Sequence, residues 1–223
     1  MSRFMSPSIL LMAMGVSGIA CAEQRASHPT AEVAQHGPVP AVDGFGRHPS
    51  LFDCRIDIVR SWSLAGNAPQ HYELSRPAEA NWLARDSCRI AWRMESTEQT
   101  QESDFAVLPY SFSAEGYKGK RIRYSVVLRA EGVGGASLVG RVDDANGKVL
   151  AFDDMQARTV VGTVSATRYD VVLDVPEAAS KILVGVVLLG KGTLSANKVR
   201  IETVGTEVPV TDTLHSVTES TAK

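Results

Sequence analysis

Arg121-Ile122-Arg123-Tyr124-Ser125-Val126-Val127-Leu128-Arg129 is the stretch that decides the fold. Ile122, Tyr124, Val126 and Leu128 take every second position, while Arg121, Arg123 and Arg129 stand on the other phase. Successive side chains of a strand point to opposite faces, so this pattern predicts a strand with one face in a core and one toward water. Tyr169, Val171, Leu173 and Val175 repeat it, as do Val199 and Ile201 among Lys198, Arg200 and Glu202. The run from Ile182 to Leu189 is apolar on both phases. Its valines and Gly185 favour a central strand covered on both sides over a buried helix.

Turn signals separate these runs. Asp144-Ala145-Asn146-Gly147 joins Leu138–Asp143 to Lys148–Phe152, and Asn-Gly between alternating segments predicts a hairpin. Gly132 to Gly135, Pro176 to Ser180 and Gly190-Lys191-Gly192 are further breaks. No segment reads as a long amphipathic helix. Many short strands with regular turns predict an all-β chain, a β-sandwich or jelly roll.

The N-terminus carries Arg3, then the apolar run Ile9 to Val16, then small residues through Ala22, the order of a secretory signal. The apolar run is shorter than the roughly 20 residues a membrane-spanning helix needs. We read residues 1–22 as a signal peptide and 23–50, rich in Ala, Pro, His, Ser and Gly, as a disordered linker. Residues 51–205 form the predicted sandwich domain, and the Thr- and Ser-rich 206–223 a flexible tail. Cleavage has two readings. Ala20-Cys21-Ala22 fits a cut after Ala22, whereas Gly18-Ile19-Ala20-Cys21 fits a lipobox that would acylate Cys21. Either cut leaves Cys54 and Cys88, an even pair for a periplasmic or extracellular compartment, with an outer-membrane lipid anchor as the second case. Cys54 is in phase with Ile56 and Ile58, and Cys88 with Ile90, Trp92 and Met94, so both thiols are expected to point into the core. A Cys54–Cys88 bridge would close about 35 residues and add roughly 3 to 4 kcal/mol.

The formal charge is −2 at pH 7, without the basic stripe of a nucleic-acid binder. Lys118, Lys120, Arg121 and Arg123 cluster, but the alternation of the two arginines marks a solvated strand face. The serine-hydrolase elbow, the zinc-protease helix motif, the phosphate-binding Gly loop and Cys-x-x-Cys are all missing from the predicted domain. His71 is its one histidine and reads as a satisfied or surface residue. His28, His36 and His48 lie in the linker and make no metal site. Asp143 and Asp144 end one strand of the hairpin, and Asp153 and Asp154 end the other, near its opposite end. A glycosidase needs two carboxylates at a set separation, which this spacing does not supply. A structural calcium is the one metal such acid-rich turns suggest; no other cofactor is expected. Trp92 is in phase with the core. Trp62 begins a turn-like stretch, and Trp82, outside clear alternation, is the best candidate for an exposed aromatic.

A longer pattern runs from Tyr117-Lys118-Gly119-Lys120-Arg121-Ile122-Arg123 through Arg141-Val142-Asp143 and Ala151-Phe152-Asp153-Asp154-Met155. It continues with Arg158, Gly162-Thr163, Tyr169 to Pro176, Gly185 and Gly190-Lys191-Gly192. In order and spacing it resembles a family of bacterial jelly-roll domains, galactose-binding-like and carbohydrate-binding in type. These stand alone in exported proteins or are attached to peptidases and helix-turn-helix regulators. The resemblance implies the sandwich fold and carries over no catalytic residue. Where the family pattern has three tryptophans, this chain has Val139, Ala166 and, near Leu194-Ser195, no aromatic.

These readings converge on an exported, non-catalytic module that binds a glycan, an envelope component or a protein partner. Its expected surface comprises Arg141, Asp143, Asp153, Asp154, Met155 and Trp82. The alternatives are an envelope protein tethered through Cys21, which alone would bring it to a membrane, and a hydrolase with an unrecognised site.

Overall fold

A computed structural model describes residues 63–75, 87–93 and 103–214 of the 223-residue chain. The expected signal peptide and linker, with Cys21, Cys54, Trp62 and Trp82, lie outside the described residues. Nine strands are described: β1 (Ala65–Gly66), β2 (Tyr72–Ser75), β3 (Cys88–Trp92), β4 (Phe105–Ser113) and β5 (Lys120–Asp144) come first. They are followed by β6 (Val149–Asp153), β7 (Val160–Val175), β8 (Ala179–Leu189) and β9 (Thr193–Val204). Every pairing is antiparallel.

The alternating stretch opens β5, which at 25 residues would run about 80 Å if straight. It instead belongs to two layers. Its first half lies between β7 and β9, Tyr124 pairing with Val171 on one side and Ile201 on the other. Its second half lies between β8 and β6, Arg141 pairing with Leu183 and with Phe152. The corner falls where the β5–β7 register shifts, between Leu128 and Ala136. Gly132 and Gly162 stand there at φ of 58° and 78°, a left-handed backbone that a side chain would strain. One layer is thus β7-β5-β9-β3-β2 and the other β1-β4-β8-β5-β6.

The sheet folded on itself buries one face. Ile122, Tyr124, Val126 and Leu128 from one layer pack with Leu138, Val142, Ile182 and Val184 from the other in a single core cluster. The all-β jelly-roll sandwich expected from the alternation and the family resemblance is the architecture observed, and Ile182–Leu189 is the doubly covered strand foreseen. The Asn146-Gly147 hairpin is present, with Gly147 at φ 81°. The Asp144 carboxylate holds the turn by accepting from the N–H groups of Asn146 and Lys148 at 2.8 and 2.9 Å.

The expected flexible tail needs correction at its start. Residues 206–214 are bound along the sandwich. The Arg121 Nη1 donates to the carbonyls of Thr206 and Val208. The Thr211 N–H donates to the Val172 carbonyl, and the Thr211 hydroxyl accepts from the Val172 N–H, both at 2.9 Å. The Asp212 carboxylate accepts from the Phe152 N–H, and the Thr213 hydroxyl donates to the Phe152 carbonyl. This segment therefore covers the outer edges of both β6 and β7, which would otherwise expose unpaired backbone groups.

Candidate functional site

Register fixes which side chains share a surface. Ser111, Leu183, Arg141 and Phe152 form one cross-strand row over β4, β8, β5 and β6. Ser113, Lys181, Asp143 and Val149 form the next. Both rows lie on the face of the second layer that points away from the core, because Val142 and Ile182 occupy the opposite phase. Arg141 Nε donates to Asp143 Oδ1 at 2.6 Å, and the Lys181 ammonium stands 3.6 Å from Asp143 Oδ2. Asp143 is only 2% exposed and Arg141 8%, whereas the Lys181 side chain is 52% exposed and Ser111 is open to solvent. The result is a rigid polar cluster, held on strands and reachable at its Lys181 and Ser111 end.

Val139, in a place where the family pattern has a tryptophan, lies on the same face two residues from Arg141 and is completely buried. It pairs with Gly185, and a Cβ built on that glycine would approach Val139 Cγ1 and Val107 Cγ2 to 3.0 Å. The valine therefore fills its space by packing and offers no aromatic platform. Of the other two departures, Leu194 is buried in the core and Ala166 is exposed.

Asp153 and Met155 do not join the Arg141 surface. Asp153 pairs with Gly140, so it projects to the core side of the hairpin, opposite Arg141 and Asp143. It is 1% exposed; its Oδ2 accepts from Arg158 Nη2 at 2.5 Å and its Oδ1 from the Met155 N–H at 2.7 Å. Arg158 continues to the Asp170 carbonyl at 2.9 Å. Met155 sits at φ 57° and turns its side chain into the core, where its sulfur accepts from the Leu138 N–H. Both residues are interior fixtures of the turn and are unavailable to a ligand, which corrects the expectation for them. Asp154, beside them, is half-buried. Burial pushes its carboxyl above the usual carboxylate range, and the Asp153 charge adds to the rise, while the Gln156 N–H works the other way. Trp82, the expected exposed aromatic, is outside the described residues.

The acid turns also bear on calcium. The Asp143 and Asp153 carboxylates are committed to cations and Asp144 to its own turn. Among the described residues no group of three His, Cys, Asp or Glu side chains is arranged to hold a metal ion.

A second polar cluster, around His71, closes the end of the sandwich near the Gly190-Lys191-Gly192 turn. His71 Nδ1 lies 3.1 Å from Asp104 Oδ2. The Tyr72 hydroxyl donates toward the Asp104 and Gly190 carbonyls at 3.0 and 2.9 Å. Burial, then the Asp104 charge, raises the Tyr72 phenol strongly. All three are buried and serve as a lock on the turn. Trp92 packs on the core as expected, with Lys191 Nζ 4.9 Å from its ring centre. Cys88 is buried and disulfide-bonded.

Fold and surface together define the class: a jelly-roll β-sandwich domain with an ion-paired sheet face. No family model matches the chain. Over 155 residues it is 36% identical to an uncharacterized HTH-type transcriptional regulator, YbfP, of Bacillus subtilis, covering 69% of this chain. The chain spans 51% of the length of that curated relative. Among solved structures it is similar to the C-terminal family 22 carbohydrate-binding module of Clostridium thermocellum Xyn10B, with 13% identity and a TM-score of 0.47. That similarity covers 76% of this chain and 100% of the module. It is also similar to the enzymatically active domain of bacteriophage CBA120 tailspike protein 4, with 12% identity and a TM-score of 0.48. There the coverage is 71% of this chain and 22% of the tailspike. No helix among the described residues is long and apolar enough to cross a membrane.

Proposed function

We propose that this chain is a non-catalytic binding module that recognises a glycan through the Arg141, Asp143 and Lys181 face. The observation that carries the reading is the preorganised pair on that face. The buried guanidinium and carboxylate, 2.6 Å apart on adjacent rows of a rigid sheet, fix the surface on which the exposed Lys181 ammonium and Ser111 hydroxyl offer a donor and an acceptor of the kind sugar hydroxyls satisfy. Leu183 and Phe152 supply apolar surface in the same row. A hydrolytic role is disfavoured by register: Asp143 and Asp153 face opposite sides of the hairpin, and each is neutralised by an arginine. The regulator relative supports recognition too, since a stretch shared between a regulator and an export-type chain suits a ligand-binding role.

Export belongs to this proposal. The buried, disulfide-bonded Cys88 supports an oxidising compartment with Cys54 as its partner. Alkylation of the unreduced mature protein is expected to label neither cysteine; two labelled thiols would remove that support.

Arg141 itself is a poor binding probe, because removing it strands a buried carboxylate and costs stability of its own. Ser111→Trp and Lys181→Ala alter only the exposed end of the face. On a glycan array each is expected to lower the signal of the strongest hit about tenfold while the melting temperature holds. Unchanged signals from both variants would move the site off this face.

A further inference from the structure

The outward face of the other layer carries a groove of about 270 Å³ lined by Ser125, Val127, Arg168, Lys198 and Arg200. Ser125 and Val127 belong to the central strand β5 and form the floor. Arg168 of β7 stands on one side, across from Val127. Lys198 and Arg200 of β9 stand on the other, where the β5–β9 register shifts between Ser125 and Val127. Ser125 pairs with Arg200 and Val127 with Asn197, so β9 carries one extra residue there, a bulge. Lys198 is the residue that absorbs it, at φ 49°, a conformation that costs a lysine and would cost a glycine little. Regular alternation would send Lys198 and Arg200 along one face with a buried partner between them. Both line one concavity here, and the bulge puts Asn197 rather than Lys198 opposite Val127.

The charges there do not cancel. Arg123 and Arg168 share Glu202, and Arg168 also bonds Asp170 and the Ser125 hydroxyl. Two carboxylates thus offset two arginines. Arg200 adds positive charge on top, and both it and Lys198 are exposed. Arg200 makes no hydrogen bond or ion pair among the described residues. A net-negative chain therefore keeps a locally positive groove whose one uncommitted group is a planar guanidinium, the geometry that takes a carboxylate side by side.

We infer that this groove binds a carboxylated saccharide, the acid group on Arg200 and Lys198 and the ring over Val127. It is a second site, on the layer opposite the Arg141 face, and shares with the reading above only the ligand class. Three features favour an acidic sugar over other polyanions. The lining has no aromatic side chain on which a nucleic-acid base could stack. It has no large apolar side chain to enter a lipid layer. Asp170 and Glu202 at the rim repel a densely charged backbone but leave room for isolated carboxylates.

Affinity electrophoresis of the full chain tests the inference, with polygalacturonate, its fully methyl-esterified form and a single-stranded DNA oligomer as probes. The expected result is retardation by polygalacturonate that the ester does not reproduce and that raised salt abolishes. Arg200→Glu, at an exposed and unpartnered position, should fold normally and lower that affinity at least tenfold. Lys198→Gly should weaken binding while raising the melting temperature, since it relieves the bulge strain. Ser111→Trp should leave polygalacturonate binding intact, which keeps this site's fate separate from that of the Arg141 face. Equal retardation by the ester, full binding by Arg200→Glu, or tighter binding of DNA than of polygalacturonate would each overturn the assignment.

Discussion

Tyr124 places a phenol hydroxyl in the core with no hydrogen-bond partner among the described residues. Its ring fills the space between the two layers, and burial raises the phenol far above its ordinary value. Tyr124→Phe keeps the ring and removes the unpaired group, so it is expected to stabilise the fold by about 1 kcal/mol in urea unfolding; a loss instead would reveal a partner for the hydroxyl. Asp154 gives the pH counterpart. Burial raises its folded-state pKa, so the folded chain holds that proton more tightly than the unfolded chain. The associated stability is complete below the unfolded carboxylate range, about pH 4, and is lost as pH rises through the elevated folded value. Asp154→Asn escapes that loss. Its stability should exceed the parent's at pH 7 and converge with it below about pH 4; a gap that opens toward acid would contradict the assignment. The Arg141–Asp143 pair was legible in the sequence, because residues two apart on a strand share a face. Asp153 and Met155 were not correctly legible as site residues. The first is placed by cross-strand register with Gly140, and the second by a left-handed backbone that nothing about a methionine announces.

At the scale of elements, local patterns were the readable part. The alternation of β5, β7 and β9, the double coverage of β8 and the Asn146-Gly147 hairpin all follow from neighbours in sequence. What escaped was set by distant partners. The bulge in β9 exists only against β5, and although alternation already sets Lys198 and Arg200 on one face, their meeting with Arg168 across β5 has no local signal. Residues 206–214 read as a tail because they are polar and small, yet those side chains and carbonyls are what bind the edges of β6 and β7. Deleting residues 206–223 should therefore lower the melting temperature by several degrees and promote self-association through the uncovered edges, as read by thermal melting and light scattering. A truncated chain as stable and monomeric as the parent would show that the edges need no cover.

At the scale of the molecule, one long strand links two layers that bury a common core and turn two different surfaces outward. The Arg141 face is ion-paired and rigid, whereas the groove on the other layer presents the Arg200 guanidinium, unpaired among the described residues. A chain with a bland net charge of −2 hides this division, since composition sums over both faces. The central proposal is that the Arg141 face holds a glycan, and hydrogen–deuterium exchange of the full chain with and without its strongest array glycan tests it most directly. The account predicts slowed exchange in 139–143 of β5 and 181–185 of β8, with 198–200 of β9 unchanged when that glycan is neutral. Slowed exchange confined to other strands, or none at saturating glycan, would contradict it.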